Sequence, residues 1–280
     1  MDSATLSILF GLTSAVVWGA GDFSGGVAAK RNDVYTVVLF GHSVGFVALV
    51  VLALLTGEPW PTTSDLIFGA LAGVGGMVGV LAFYSSLARS PMGVVAPVAA
   101  IVNAVIPLIV AAFLEGFPPL IQGIGILIAL AAVWLLAGAG AVGNVPLHDL
   151  GLPALAGVGF ATFIIFIDQV SAGALYWPLA ASRTASVCIV TSVILFNAQK
   201  GFVRPIQLWI IILSGLLDTA GNAFFALAAQ TGRLDIASIL TSLYPASTGF
   251  LAWLILGERL THLQKWGVAL TLLALILITL

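Results

Sequence analysis

Few side chains in this chain could do chemistry, and most of those stand alone among apolar neighbours. Asp22 is the only charge between Ala4 and Ala29, and Asp168, Arg183 and Asp218 each interrupt a different apolar run. His42, Asn103, Asn222, Tyr84, Tyr244 and Trp18 add polar or amphipathic groups within such runs. No nucleophile lies beside a base, the three histidines (His42, His148, His262) have no metal-ligand spacing, and Cys188 has no second cysteine to pair with. The chemistry on offer is the holding of charge and hydrogen bonds, with no catalytic residue and no cofactor site. Ser14, Trp18, Asp22 and Gly26 recur every four residues, so a helix would present them on one face.

The elements that carry these residues follow from composition. Of 280 residues 61% are hydrophobic and 7% charged, and the mean hydropathy is +1.18. A soluble domain has about 25% charged residues and could not bury so much apolar surface. Apolar runs of about 20 residues, the length that crosses a ~30 Å hydrocarbon layer as a helix, recur along the chain. They predict an all-α integral membrane protein with ten transmembrane helices over 5–28, 34–56, 65–88, 92–114, 120–141, 151–172, 177–197, 206–229, 235–256 and 263–280. The N-terminus lacks the basic segment of a signal peptide, so the first run is expected to remain as a span. Short connections leave no room for an extramembrane site, and a net charge of −2 gives no reason to expect a nucleic-acid partner.

The two halves resemble each other. Gly11 and Asp22 match Gly157 and Asp168 at a shift of 146, Gly73, Gly79 and Phe83 match Gly215, Gly221 and Phe225 at 142, and Glu115 matches Glu258 at 143. Such concordant shifts point to a duplication, with one five-helix repeat in 1–143 and a second in 148–280. An odd number of spans per repeat inverts the second relative to the first and favours a site near the midplane between them.

Depth along the predicted helices suggests partners for the charges. Asp22 lies about 12 Å from the Lys30 end of its helix, where a charge is tolerated if it faces a partner or a wet cavity. Counting from the hairpin puts Asp168 level with Arg183, and the repeat shift, about 141 back from Arg183, lands on His42 and so matches it with Asp22 in the first half; both are read as pairs. Asp218 falls near the middle of its span with Asn222 one turn away, and its counterpart, Gly76, carries no charge. Asp22 and Asp218 are accordingly candidates for proton coupling. Trp18, Tyr84, Asn103 and Tyr244 are expected to line a cavity suited to an organic zwitterion with an apolar body. Trp60, Trp177, Trp209 and Trp266 read as interfacial anchors. Gly69, Gly73, Gly76 and Gly79 suggest close helix packing, and Pro97, Pro107 and Pro245 suggest kinks. The run Gly138 to Gly143 mimics a dinucleotide-binding spacing but follows a membrane span and is read as chance.

Leu256-Gly257-Glu258-Arg259-Leu260-Thr261, the preceding Ser242-Leu243-Tyr244-Pro245, Trp18-Gly19 and the ten-span duplication resemble the EamA-type members of the drug/metabolite transporter superfamily. The resemblance implies a multi-pass secondary transporter of the cytoplasmic (inner) membrane, commonly an exporter of amino acids or related metabolites, with exporters of aromatic amino acids among its relatives. It implies a small-molecule substrate, a lipid surrounding and alternating access. The chain is expected to be a monomer. A channel or passive facilitator is the rival reading, and export of drugs or other metabolites a second. For orientation, Lys30, Arg31, Arg89, Lys200, Arg204, Arg259 and Lys265 gather on one side against Arg233 on the other, which makes that side cytoplasmic and both termini external. The resemblance implies cytoplasmic termini instead.

Overall fold

The computed structural model describes residues 2–90, 92–136, 150–196, 207–256 and 261–279. Among them are helices and turns and no strand. The first half contributes α1 (Ser3–Ala29), α2 (Val34–Thr56), α3 (Thr63–Leu87), α4 (Met92–Leu114) and α5 (Leu120–Leu136). The second contributes α6 (Gly151–Asp168), α7 (Tyr176–Phe196), α8 (Leu208–Thr231), α9 (Leu234–Thr241), α10 (Tyr244–Leu256) and α11 (His262–Thr279). Among the described residues, seven segments are long and apolar enough to cross a membrane: α1, α2, α3, α6, α7, α8 and Leu234–Ile255, which joins α9 to α10. Val98–Leu114 and Leu120–Leu135 are shorter apolar helices. The expected ends of the repeats, the Gly138 to Gly143 run, and Gly257 to Leu260 of the motif lie outside the described residues.

Local chemistry sets the helix boundaries. Asp2 and Asp33 cap α1 and α2 by accepting from Thr5 N and Thr36 N at 3.2 and 3.1 Å. Thr62 and Asp65 form a reciprocal capping box on α3. Gly57 ends α2 in the left-handed conformation, φ 66°, which a side chain would strain. The expected kink at Pro245 is a break: α9 stops at Thr241 and α10 begins at Tyr244. Proline has no N–H to continue the ladder and disfavours helix at the residue before it. Helix α4, by contrast, runs unbroken through Pro97 and Pro107.

Packing repeats when the halves are exchanged. Helix α1 lies along α8, as α6 lies along α3; α2 packs on α7 and α8, as α7 packs on α2 and α3; α1 meets α9 and α10, as α6 meets α4. Glycines make these approaches possible. A Cβ on Gly73 would collide with the Ser182 backbone, and one on Gly215 with the Gly41 backbone; Gly75 and Gly79 face Gly159. Gly11 faces Ala237 and Leu240, and its repeat mate Gly157 faces Ala99 and Val102. Lipid tails are as apolar as leucine, so close backbone contact and hydrogen bonds, rather than hydrophobic burial, must hold helices together here. Hydroxyls supply some of those bonds between halves: Ser7 to Ala228 O at 2.8 Å, Ser14 to Gly221 O at 2.8 Å and Thr248 to Gly19 O at 3.1 Å. Large apolar side chains such as Leu54, Leu55, Phe113 and Leu127 cover the outside.

At one end, carboxylates of the first half bind backbone N–H groups of the second. Glu58 accepts from Leu175 N at 2.5 Å and Tyr176 N at 2.8 Å, and Asp65 accepts from Ser171 N at 2.8 Å. Nearby, the rings of Trp60 and Trp177 are 4.8 Å apart, and Trp177 Nε1 donates to Glu58 O at 3.2 Å. Glu115 accepts from Leu234 N at 3.2 Å, while Arg233 Nη2 donates to Gly116 O at 2.8 Å and Asp235 Oδ2 at 2.9 Å. Its hydrogen bonds to Asp235 hold the Arg233 guanidinium above its ordinary range, so this tie is charged at any working pH.

Candidate functional site

Between the halves lies a cavity with about 530 Å³ of space between atoms, counting the part open to solvent. Eight of the ten residues expected at the site border it: Trp18, Asp22, His42, Asn103, Arg183, Asp218, Asn222 and Tyr244. Tyr84 is one step away, in a smaller cavity that also touches His42, Val80 and Asp218. Asp168 is elsewhere.

The expected charge pairs are corrected by the geometry. Arg183 Nη2 lies 2.6 Å from Asp218 Oδ2, not against Asp168. Asp168 is the last residue of α6, where its carboxylate accepts from the neighbouring Gln169 Nε2 at 3.1 Å. Equal depth brought it level with Arg183 in the sequence argument, but the two helices present those residues to different neighbours. The expected Asp22–His42 pair is absent too. His42 Nδ1 shares a proton with Ser186 Oγ at 2.5 Å, and its Nε2 is 3.9 Å from Asp218 Oδ2. Asp218 is therefore the hub to which Arg183 and His42 both turn. The Asp22 carboxyl has no hydrogen-bond or ion-pair partner among the described residues; the charged group acting on it is the second carboxylate, Asp218.

Aromatic rings wall the space. Trp18 Nε1 donates to Asn222 Oδ1 at 2.8 Å and to Asp218 O at 3.2 Å. Its ring stacks on Phe225 at 6.1 Å and meets Phe163 edge-on at 6.3 Å. The indole fits because Gly221 has no side chain. Tyr244 Oη donates to Ala96 O at 3.1 Å, across to α4. Tyr84 Oη bonds Ser214 Oγ at 3.1 Å, and Ser214 passes its own proton to Gly21 O at 3.0 Å, so the phenol must be the donor. Asn103, fully buried, donates through Nδ2 to Ser242 Oγ at 3.2 Å, while its Oδ1 has no partner.

Phe160, Phe163, Ser182 and Ser186 also border the cavity and were not expected there. Ser182 and Ser186 sit four residues apart beside Arg183, a spacing that could have marked the wet face of α7. The two phenylalanines carry no signal that separates a cavity wall from a lipid-facing ring.

A helical bundle of two similar halves, with a cavity between them bordered by charged, polar and aromatic side chains, defines a polytopic membrane protein. The EamA-like transporter family model matches residues 5–138 and again 150–280, and the chain belongs to that family, whose members are transporters. No curated protein matches the chain. A solved crystal structure superposes with a TM-score of 0.80 over 98% of both chains at 15% identity. That likeness speaks for the fold alone.

Proposed function

We propose that this chain carries small organic metabolites, first among them amino acids with aromatic or apolar side chains, across the cytoplasmic membrane as an exporter. Ten spanning segments, with α9 and α10 forming one broken span, would give two five-helix halves of opposite sense. Rocking of one half against the other would expose the cavity to each side in turn. The observation that carries this reading is the cavity itself: Asp22, Arg183, Asp218 and Asn103 meet the Trp18, Phe160 and Phe163 rings between the halves. Polar anchors beside aromatic walls suit a solute with a charged head and an apolar body. Asp22 and Asp218 are the proposed sites of proton coupling, and the chain works as a monomer in this reading.

Counterflow in proteoliposomes tests it. Purified protein is reconstituted in vesicles loaded with unlabelled aromatic or aliphatic amino acids, and uptake of the labelled form is followed. Trans-stimulated, saturable uptake is expected. Uptake that grows linearly with concentration and ignores the internal solute would identify a channel, and neither exchange nor accumulation of any amino acid would overturn the substrate class.

A further inference from the structure

Three buried side chains at the cavity carry donors that no protein acceptor fills: Arg183, Asn222 and Ser182. Arg183 makes one bond, from Nη2 to Asp218 Oδ2 at 2.6 Å, and its Nε and Nη1 donate to nothing among the described residues. Asn222 Oδ1 accepts from Trp18 Nε1 at 2.8 Å, which fixes the amide and leaves Nδ2 idle. Ser182 Oγ, beside Arg183 on α7, has no partner among the described residues. Of the described side-chain atoms, those sealed away without a partner are Asn103 Oδ1 and Thr219 Oγ1. The idle donors of Arg183, Asn222 and Ser182 therefore face open space, and the space these residues border is the cavity. They also gather: the bond to Asp218 draws the guanidinium to α8, where Asn222 stands one turn further along.

From this arrangement we infer that the site reads the carboxylate of its solute through Arg183, Asn222 and Ser182. A guanidinium fork matches the two oxygens of a carboxylate, whose lone pairs can take further N–H and O–H donors at the same time. Because Arg183 already balances Asp218, the grip on the ligand comes from charge-assisted hydrogen bonds and not from an unpaired cation. A zwitterion suits that grip, since it fills the donors and adds no net charge to the cavity. The inference rests on the proposed transport of amino acids and deepens it: amines and amides with the same apolar body lack the group that is held.

Probes that share a body and differ in the head group test this: phenylalanine, phenylalaninamide, phenethylamine and 3-phenylpropionate. Binding to purified full-length protein is measured by calorimetry and by competition. Phenylalanine is expected to bind at least about tenfold more tightly than the amide or the amine, the scale of a lost charged hydrogen bond, and 3-phenylpropionate more tightly than phenethylamine. Ser182→Ala breaks no bond within the protein, so at an unchanged melting temperature it is expected to weaken phenylalanine by about fivefold and leave phenethylamine where it was. Asn222→Asp keeps the acceptor for Trp18 but exchanges the idle donor for a carboxylate oxygen, and is expected to weaken phenylalanine by at least about tenfold. Amide or amine binding within about threefold of phenylalanine would overturn the proposal. So would a ratio of phenylalanine to phenethylamine affinity that neither variant moves, or the failure of both carboxylates to bind. The outcomes separate from those of counterflow: amino-acid exchange that tolerates the amide equally removes only this inference, whereas binding of 3-phenylpropionate in preference to the amine, without amino-acid exchange, removes only the amino-acid part of the transport reading.

Discussion

Arg183 and Asp218 form an ion pair of 2.6 Å that ties α7 to α8 beside the cavity, with the side chains only 5% and 20% exposed. Leaving one member of a buried pair alone costs about 3–5 kcal/mol, while removing both is often nearly neutral. Arg183→Met should therefore destabilise the protein strongly in detergent unfolding, and Arg183→Met with Asp218→Leu should recover most of the loss. Adding Asp168→Asn to Arg183→Met should recover nothing. Recovery by the Asp168 change instead would mean that the wrong carboxylate has been paired here.

The contrast between these two carboxylates marks what could be read from the sequence. Helix positions follow from apolar runs, and the polar and aromatic residues that interrupt them, Trp18, Asp22, His42, Asn103, Arg183, Asp218, Asn222 and Tyr244, border one cavity. Depth does not give the direction in which a helix points its side chains. That is why Asp168 was matched to Arg183, and why Asp22 was given to His42, whose ring faces Ser186. Pro245 was legible as a discontinuity, though not as a complete break between α9 and α10. Glu58 was not legible at all, because a carboxylate in a short connection looks like any solvated charge.

Glycines at the helix crossings should be intolerant of even one methyl group. Gly215 meets the Gly41 backbone across α2 and α8, while Gly123 in α5 has open space where a Cβ would go. Gly215→Ala must push two backbones apart, which as overpacking costs about 1–3 kcal/mol, more than the helix propensity gained. Gly123→Ala should be neutral or slightly stabilising. Thermal unfolding of the two variants in the same detergent checks the difference, and equal melting temperatures would contradict the packing described.

Trp18 combines a wall with a hydrogen-bond donor. Trp18→Phe keeps an aromatic face toward Phe163 and Phe225 but leaves Asn222 Oδ1, in a buried side chain, without its 2.8 Å donor. An orphaned buried acceptor costs about 1–3 kcal/mol, and replacing both partners with apolar groups removes that cost. Trp18→Phe should lower stability and raise the KM of counterflow, and Trp18→Phe with Asn222→Val should restore stability but not KM. Restoration of both would reduce the pair to packing alone.

Glu58 performs for α7 what an N-cap residue ordinarily does, except that it comes from the other half of the chain. Both of its oxygens are used, on Leu175 N and Tyr176 N. The loop it holds, between α6 and α7, also receives Asp65 on Ser171 N and Gln230 on Gly173 N at 3.3 Å. Glu58→Gln keeps one acceptor oxygen and should cost about 1 kcal/mol; Glu58→Ala removes both and should cost about 2 kcal/mol. Hydrogen exchange reads this locally. Amides of 174–177 should exchange about tenfold faster in Glu58→Ala, since each 1.4 kcal/mol of lost protection is a factor of ten, with a smaller change in Glu58→Gln. The turn between α1 and α2 should not change, because Asp33 from its own half caps α2. Uniform acceleration of both turns would mean that Glu58 supports global stability and does not hold the two halves together at this end.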